Sequence, residues 1–182
     1  MEHSIIISGF GGQGILFLGK ILTLAGMNEG KEVTWFPSYG AEMRGGTANC
    51  TVIFSDELIG SPVVSNPDTL IVMNDCAFSK FYSKLKKGGL LLYDSSLING
   101  HEERQNIEII GIPATEIASR LNAIQTSNIV LAGAFIAKTG MLKESSVLDV
   151  LSETVSAKKA KLISTNKKAL LKGIKYIENK KS

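Results

Sequence analysis

Cysteine is scarce in this chain: Cys50 and Cys76 are the only two in 182 residues. They lie far apart and lack Cys-x-x-Cys spacing, which excludes a zinc site or an iron–sulfur cluster built from this chain alone. Long apolar runs are missing too. None approaches the roughly 20 residues that would span a bilayer, and the N-terminus has no basic segment leading into an apolar core with a cleavage site. These absences predict a soluble, cytoplasmic protein. Histidine is limited to His3 and His101. Neither has a nucleophile or metal partner nearby in sequence, so both read as surface residues. No repeat or disordered linker divides the chain, and 44% apolar content is enough for one well-buried domain over residues 1–182.

Strand and helix patterns interleave. Ser4 to Ser8 is a short β-branched run, and Gly12 to Glu29 carries Ile15, Leu18, Leu22 and Ala25 at helical spacing, predicting a Rossmann-like strand–turn–helix unit. Glu32 to Phe36 reads as a second strand. Thr47 to Ser55 alternates Ala48, Cys50, Val52 and Phe54 on one face, predicting a half-buried third strand. The connection between these two is too short for a helical crossover, so they are either antiparallel neighbours or separated in the sheet. Thr69 to Met73 and Gly89 to Tyr93 are continuous apolar strands, buried on both faces, with a helix from about Ala77 to Lys86 between them. Asn106 to Ile112 adds a strand. Ala114 to Leu121, Asn128 to Thr139, Ser145 to Ser156 and Ser164 to Asn179 read as helices, the last capped by Ser164 or Thr165. The predicted fold is a three-layer α/β/α domain with a mixed, mainly parallel sheet.

Two glycine-dense segments stand out. Gly9-Phe10-Gly11-Gly12-Gln13-Gly14 follows the first strand and opens a helix, which satisfies the dinucleotide fingerprint locally. The acidic residue that should end the second strand and hold the ribose is replaced by Trp35-Phe36-Pro37. A stand-alone nucleotide-binding protein and a tight turn without ligand therefore remain as alternatives. The second segment, Ser38-Tyr39-Gly40-Ala41-Glu42-Met43-Arg44-Gly45-Gly46, places an acid, a base and a phenol among glycines just before the third strand. Such groups point at something outside the loop, or else form surface pairs while Gly45-Gly46 shapes a bulge.

The segments GFGGQG, PSYGAEMRGGTANC and IGSPVVSNPDTLIVMN, in this order and spacing, with Asn128 opening a small-residue helix, closely resemble the gamma subunit of 2-oxoacid:ferredoxin oxidoreductases. The form MRGGTANC looks most like the 2-oxoglutarate and 2-oxoisovalerate types. The resemblance implies oxidative decarboxylation of a 2-oxoacid to an acyl-CoA, with electrons passing to ferredoxin. It implies thiamine diphosphate, Mg, iron–sulfur clusters and coenzyme A in an assembled complex, none of them held by this chain alone. The implied partners are alpha, beta and ferredoxin-like delta subunits, and ferredoxin itself. Gly9, Gly11, Gly12, Gln13, Gly14, Ser38, Tyr39, Gly40, Glu42, Arg44, Gly45, Gly46 and Asn49 are then candidates for facing coenzyme A or the sister subunits, with no catalytic residue expected here. An apolar surface normally covered by those subunits would also allow the isolated chain to pair as a homodimer.

Lys158 to Ser182 holds nine lysines against one acid, Glu178. A solvated helix face explains them, and without stacking aromatics beside them nucleic-acid binding is not expected. Cys50 and Cys76 read as buried or half-buried small apolar residues, and Asp75 and Asp94, ending two apolar strands, as cap or turn residues.

Overall fold

The structure is a computed structural model describing residues 1–38, 47–99, 104–154 and 160–181. The elements run β1 (Glu2–Phe10), α1 (Ile15–Asn28), β2 (Glu32–Ser38), β3 (Thr47–Ser55), β4 (Thr69–Val72), α2 (Asp75–Phe81), β5 (Leu90–Asp94), β6 (Glu108–Ile112), α3 (Ala114–Arg120), α4 (Ser127–Thr139), α5 (Glu144–Thr154) and α6 (Ala160–Lys181). They build the expected α/β fold around a six-stranded sheet ordered β2-β3-β1-β4-β5-β6. β1, β4, β5 and β6 pair in parallel, while β3 runs antiparallel to both β1 and β2. Of the two arrangements open to β2 and β3, the chain adopts antiparallel neighbours, and β3 becomes the wedge between β2 and β1.

Successive strand residues point to opposite faces, and two clusters result. Ile5, Ile7, Cys50, Val52, Phe54 and Ile71 pack with α1 and α3 to α6. Ile6, Leu70, Val72 and Leu91 pack with α2 and the short 3₁₀ turn after it. Among the described residues the helical layers are therefore unequal, one built from five helices and the other from one. α4 lies deep in the thicker layer, with Ser127 through Ile136 all buried, as a helix apolar on all sides requires. In α6, Leu170, Ile174 and Ile177 are buried, while Lys167, Lys168, Lys172, Lys175 and Lys180 are exposed, as the stripe predicts.

Several expectations need correction. α1 begins at Ile15, because Gly12 (φ 93°) and Gly14 (φ 74°) are left-handed and cannot start a right-handed helix. β3 is buried on both faces apart from half-buried Asn49, since it lies inside the sheet. α2 stops at Phe81 and gives way to a 3₁₀ turn, Tyr82–Lys84. β6 starts at Glu108, after Asn106 turns at φ 67°. α6 starts at Ala160, which places Ser164 and Thr165 inside the helix rather than at its cap. Cys76 is exposed, unlike Cys50. The Cys50 thiol gives a hydrogen bond to the Ile15 carbonyl at 3.6 Å, and burial pushes its pKa up to about 12. A maleimide is therefore expected to label one cysteine per folded chain, Cys76, and to reach Cys50 only in denaturant. Mass spectrometry of the labelled peptides checks this, and Cys50 labelling in the native protein would contradict the burial.

His3 is half-buried rather than on the surface, with Nε2 2.9 Å from Thr69 Oγ1. Burial lowers its pKa from the ordinary 6.5; Lys86 acts the same way, and Asp68 opposes them. Burial alone would raise the Asp68 carboxyl, but hydrogen bonds from Lys86 and from the hydroxyl and amide of Ser4 outweigh it and hold the group below 3.8. The signs follow from linkage. Unfolding lets His3 take up a proton, so stability declines as pH falls below 6.5. The contribution of Asp68 is present above 3.8 and is lost as pH falls through its depressed folded value. Thermal midpoints measured from pH 7 to pH 4 should fall in the wild type, and His3→Gln should flatten the upper part of that fall. Parallel curves for the two proteins would show that His3 does not drive it.

Candidate functional site at the carboxyl edge of the sheet

β1, β4 and β5 run in parallel, so their carboxyl ends meet at one edge, where α/β proteins place their ligand-facing loops. The glycine turn leaves β1 there, and three carboxamides hold it. Gln13 Oε1 accepts from the Phe10 amide at 2.6 Å, and its Nε2 donates to the Met73 carbonyl at 3.0 Å. Asn74, which caps α2 by accepting from the Ala77 amide at 2.8 Å, donates to Gln13 Oε1 at 3.2 Å. Asn128, 2% exposed inside α4, needs a partner for its buried amide. It donates to the Gly14 carbonyl at 3.0 Å and accepts from the Ile129 amide at 2.9 Å.

Gly9 and Gly14 are consumed by this clamp. A Cβ on Gly9 would lie 2.6 Å from Gln13 Oε1, and one on Gly14 would lie 2.4 Å from Asn128 Nδ2. Gly11 and Gly12 are different. Both are exposed, and a Cβ on either would meet nothing within 4 Å. The motif thus divides into two glycines that fit the turn to the core and two that leave open space in front of it.

On β5, the fully buried Asp94 accepts from the amide of Thr115 at 3.1 Å, from its hydroxyl at 2.6 Å and from the Ser96 amide at 3.1 Å, tying β5 to the start of α3. The cap or turn reading of Asp94 therefore holds. Asp75 is the first residue of α2, and the cap itself is Asn74. Ser38, Asn49 and Ser8 lie opposite one another across β2, β3 and β1, so the structure brings Ser38 and Asn49 into a row two residues short of the turn. The Ser8 hydroxyl donates to the Ala48 carbonyl at 3.1 Å. Phe10 and Leu97 stand out from this edge, 43% and 38% exposed. Tyr39, Gly40, Glu42, Arg44, Gly45 and Gly46 lie outside the described residues, as does His101. The described polar side chains of this edge are bonded to backbone groups and to one another.

The topology does not favour the dinucleotide alternative. A Rossmann site needs the second strand beside the first, and here β3 separates them. The structure adds Asn74 and Asn128 to the site residues expected from the sequence. Asn74 follows an apolar strand and precedes a helix, a cap signal available in the sequence, whereas the contact between Asn128 and Gly14 spans 114 positions and has no local signature.

The sequence model of the family described as pyruvate ferredoxin/flavodoxin oxidoreductase matches residues 4–176. The chain belongs to this family. It is 38% identical over 174 residues to the ketoisovalerate oxidoreductase subunit VorA of Methanothermobacter marburgensis, a match covering 94% of this chain and 36% of that protein. It thus spans about a third of the length of that relative. Among solved structures it is similar to the gamma subunit of the keto/oxoacid ferredoxin oxidoreductase of Geobacter sulfurreducens, with TM-score 0.84, 28% identity, and 97% and 99% of the two chains covered. It is also similar to the 2-oxoglutarate:ferredoxin oxidoreductase of Magnetococcus marinus, solved with 2-oxoglutarate, coenzyme A and succinyl-CoA bound, with TM-score 0.90 and 25% identity over 98% of this chain and 31% of that one. The oxidoreductase-family fold therefore occurs both as nearly a whole chain and as one part of a longer polypeptide.

Proposed function

We propose that this chain is a single gamma-type domain serving as a non-autonomous subunit of a 2-oxoacid:ferredoxin oxidoreductase, working in the cytoplasm with alpha, beta and ferredoxin-like delta subunits. The reaction supported is coenzyme A-dependent decarboxylation of a 2-oxoacid to acyl-CoA, with electrons delivered to ferredoxin. The observation that carries the reading is a preformed glycine turn, clamped by Gln13, Asn74 and Asn128 at the carboxyl edge, in a chain that matches the family along nearly its whole length. A rigid, preorganised edge suits assembly, because little conformational freedom is lost when a partner docks. Exposed Phe10 and Leu97 provide apolar contact beside it.

Thiamine diphosphate with Mg supplies decarboxylation in such enzymes, and clusters carry the electrons. The residues here do not fit those groups. No cluster of three or more His, Cys, Asp or Glu that could hold a metal occurs among the described residues, and neither Cys50, buried at 0% exposure, nor lone Cys76 offers a cluster ligand set. Those groups are assigned to the sister subunits.

A second reading rests on the open space before Gly11 and Gly12. Backbone amides there, with Arg44, would receive the phosphates of coenzyme A, and the bound ligands of the Magnetococcus enzyme are consistent with a coenzyme site in this family. Purifying the native complex through a tag on this chain should co-purify thiamine and cluster subunits together with coenzyme A-dependent, 2-oxoacid-driven dye reduction. A lone, inactive chain from cells expressing those subunits would overturn the proposal. Arg44→Ala separates the two roles. Intact assembly with a raised KM for coenzyme A supports the ligand role, and lost assembly supports scaffolding.

A further inference from the structure

The amino edge of the sheet lies roughly 23 Å from the glycine turn, taking seven strand steps along β1. There His3 stands between two adjoining pockets. One, of about 450 Å³, is lined by Lys31, Phe54, Asp56, Lys138 and Met141 among others. The other, of about 210 Å³, is lined by Asp68, Lys86, Lys87 and Gly88 among others. His3, Leu90 and Thr139 line both, so the two form one cleft. The larger alone falls within the range of about 300–1,000 Å³ typical of small-molecule sites.

Its charges are unequally committed. Lys86 is paired with Asp68 at 2.8 Å and Lys138 with Glu108 at 2.5 Å, and Asp56 accepts from the Met1 amine at 2.8 Å. Lys31 and Lys87 carry no salt bridge among the described residues, although Lys31 lies close enough to Asp56 to lower its pKa. The cleft therefore keeps a positive excess at its ends. Between them Phe54 and Leu90, only 1% and 9% exposed, and Met141 form an apolar floor. An inorganic ion would leave that floor wet, and a neutral apolar molecule would leave the lysines unanswered. Asp56 and Glu108 on the same wall leave room for one acidic head group and not for several.

We propose that this cleft is a second binding site, independent of the oxidoreductase reading, for an organic anion with an apolar body. The body rests on Phe54, Leu90 and Met141, and the acidic head, a carboxylate or a phosphate monoester, is neutralised by Lys31, with Lys87 strengthening the field from the far end. His3, bonded through Nε2 to Thr69, lines both parts of the cleft.

Calorimetric titration of the full chain with hexanoate and with hexyl phosphate tests the proposal, with hexanol and inorganic phosphate as controls. At least one amphiphilic anion should bind more tightly than both controls, and the tighter of the two identifies the head group. Lys31→Glu should weaken it by about tenfold or more, the scale of one charge-assisted contact, and Lys87→Glu by less. Lys31 is half-buried and Lys87 exposed, and circular dichroism verifies that the variants stay folded. Binding of hexanol equal to that of the anions, no saturable binding of either anion, or unchanged affinity in folded Lys31→Glu would each overturn the assignment.

Discussion

Gly173→Ala is expected to cost this protein about 3 kcal/mol or more of its stability, the upper range for overpacking. The reason lies at the crossing of α4 and α6. A Cβ on Gly173 would lie 2.0 Å from the Val130 carbonyl oxygen, and one on Gly133 would lie 2.1 Å from the Leu170 carbonyl oxygen. Both obstacles are backbone, so no side-chain rotation relieves them, and the helices must separate along a buried seam. Helix propensity predicts the opposite sign, since Ala is favoured over Gly by about 1 kcal/mol in a helix interior. The measurement therefore decides between contact and propensity. Urea unfolding should show a large drop in midpoint for Gly173→Ala and Gly133→Ala. The double variant should lose less than the sum, because one separation accommodates both methyl groups. Gly60→Ala, where a Cβ would meet nothing within 4 Å, is the control and should stay within about 0.5 kcal/mol of wild type. A raised midpoint for Gly173→Ala would refute this account of the crossing.

Gly14→Ala should have the next largest effect, about 2–4 kcal/mol, made of left-handed backbone strain and a disturbed buried amide. Gly14 holds φ 74° at the entrance to α1. Its added Cβ would sit 2.4 Å from Asn128 Nδ2, displacing the amide that donates to the Gly14 carbonyl. The two sources of loss can be separated. Asn128→Ala removes the obstacle but not the strain, so the double variant should be less destabilised than the two single losses added together. Strict additivity would mean that the turn rearranges away from Asn128 instead. Within the proposed complex, Gly14→Ala should also reduce assembly or coenzyme A-dependent turnover, and Gly11→Ala, which meets no neighbour within 4 Å, separates that effect from stability. A loss of complex function in Gly11→Ala without a change in unfolding midpoint would place the open part of the turn against a partner or ligand.

Much of the fold was legible because it depends on local patterns. The apolar runs before Asn74 and Asp94 read as strands buried on both faces and are so, apart from half-buried Tyr93. The short stretch between β2 and β3 limited their arrangement to two choices on length alone. Helix boundaries were harder to place where they depended on backbone sign. Gly12 and Gly14 looked like the first turn of α1, and only their positive φ values showed otherwise. Exposure is not legible in the sequence where distant elements decide it. Nothing beside His3 in sequence indicates that Thr69 will meet it across β4, and nothing beside Cys76 indicates that α2 will turn it outward.

By itself the sequence determined the α/β class, the glycine turn after β1 and the family resemblance, since residue period, turn chemistry and motif order are properties of neighbours along the chain. Only the tertiary structure decided that β3 separates β2 from β1, that Asn128 reaches across 114 positions to lock Gly14, and that α4 and α6 meet at two glycines. These depend on which surfaces become adjacent when the core closes. Loop-closure entropy rises only slowly with chain separation, so tight packing and buried hydrogen bonding, rather than sequence distance, select the partners.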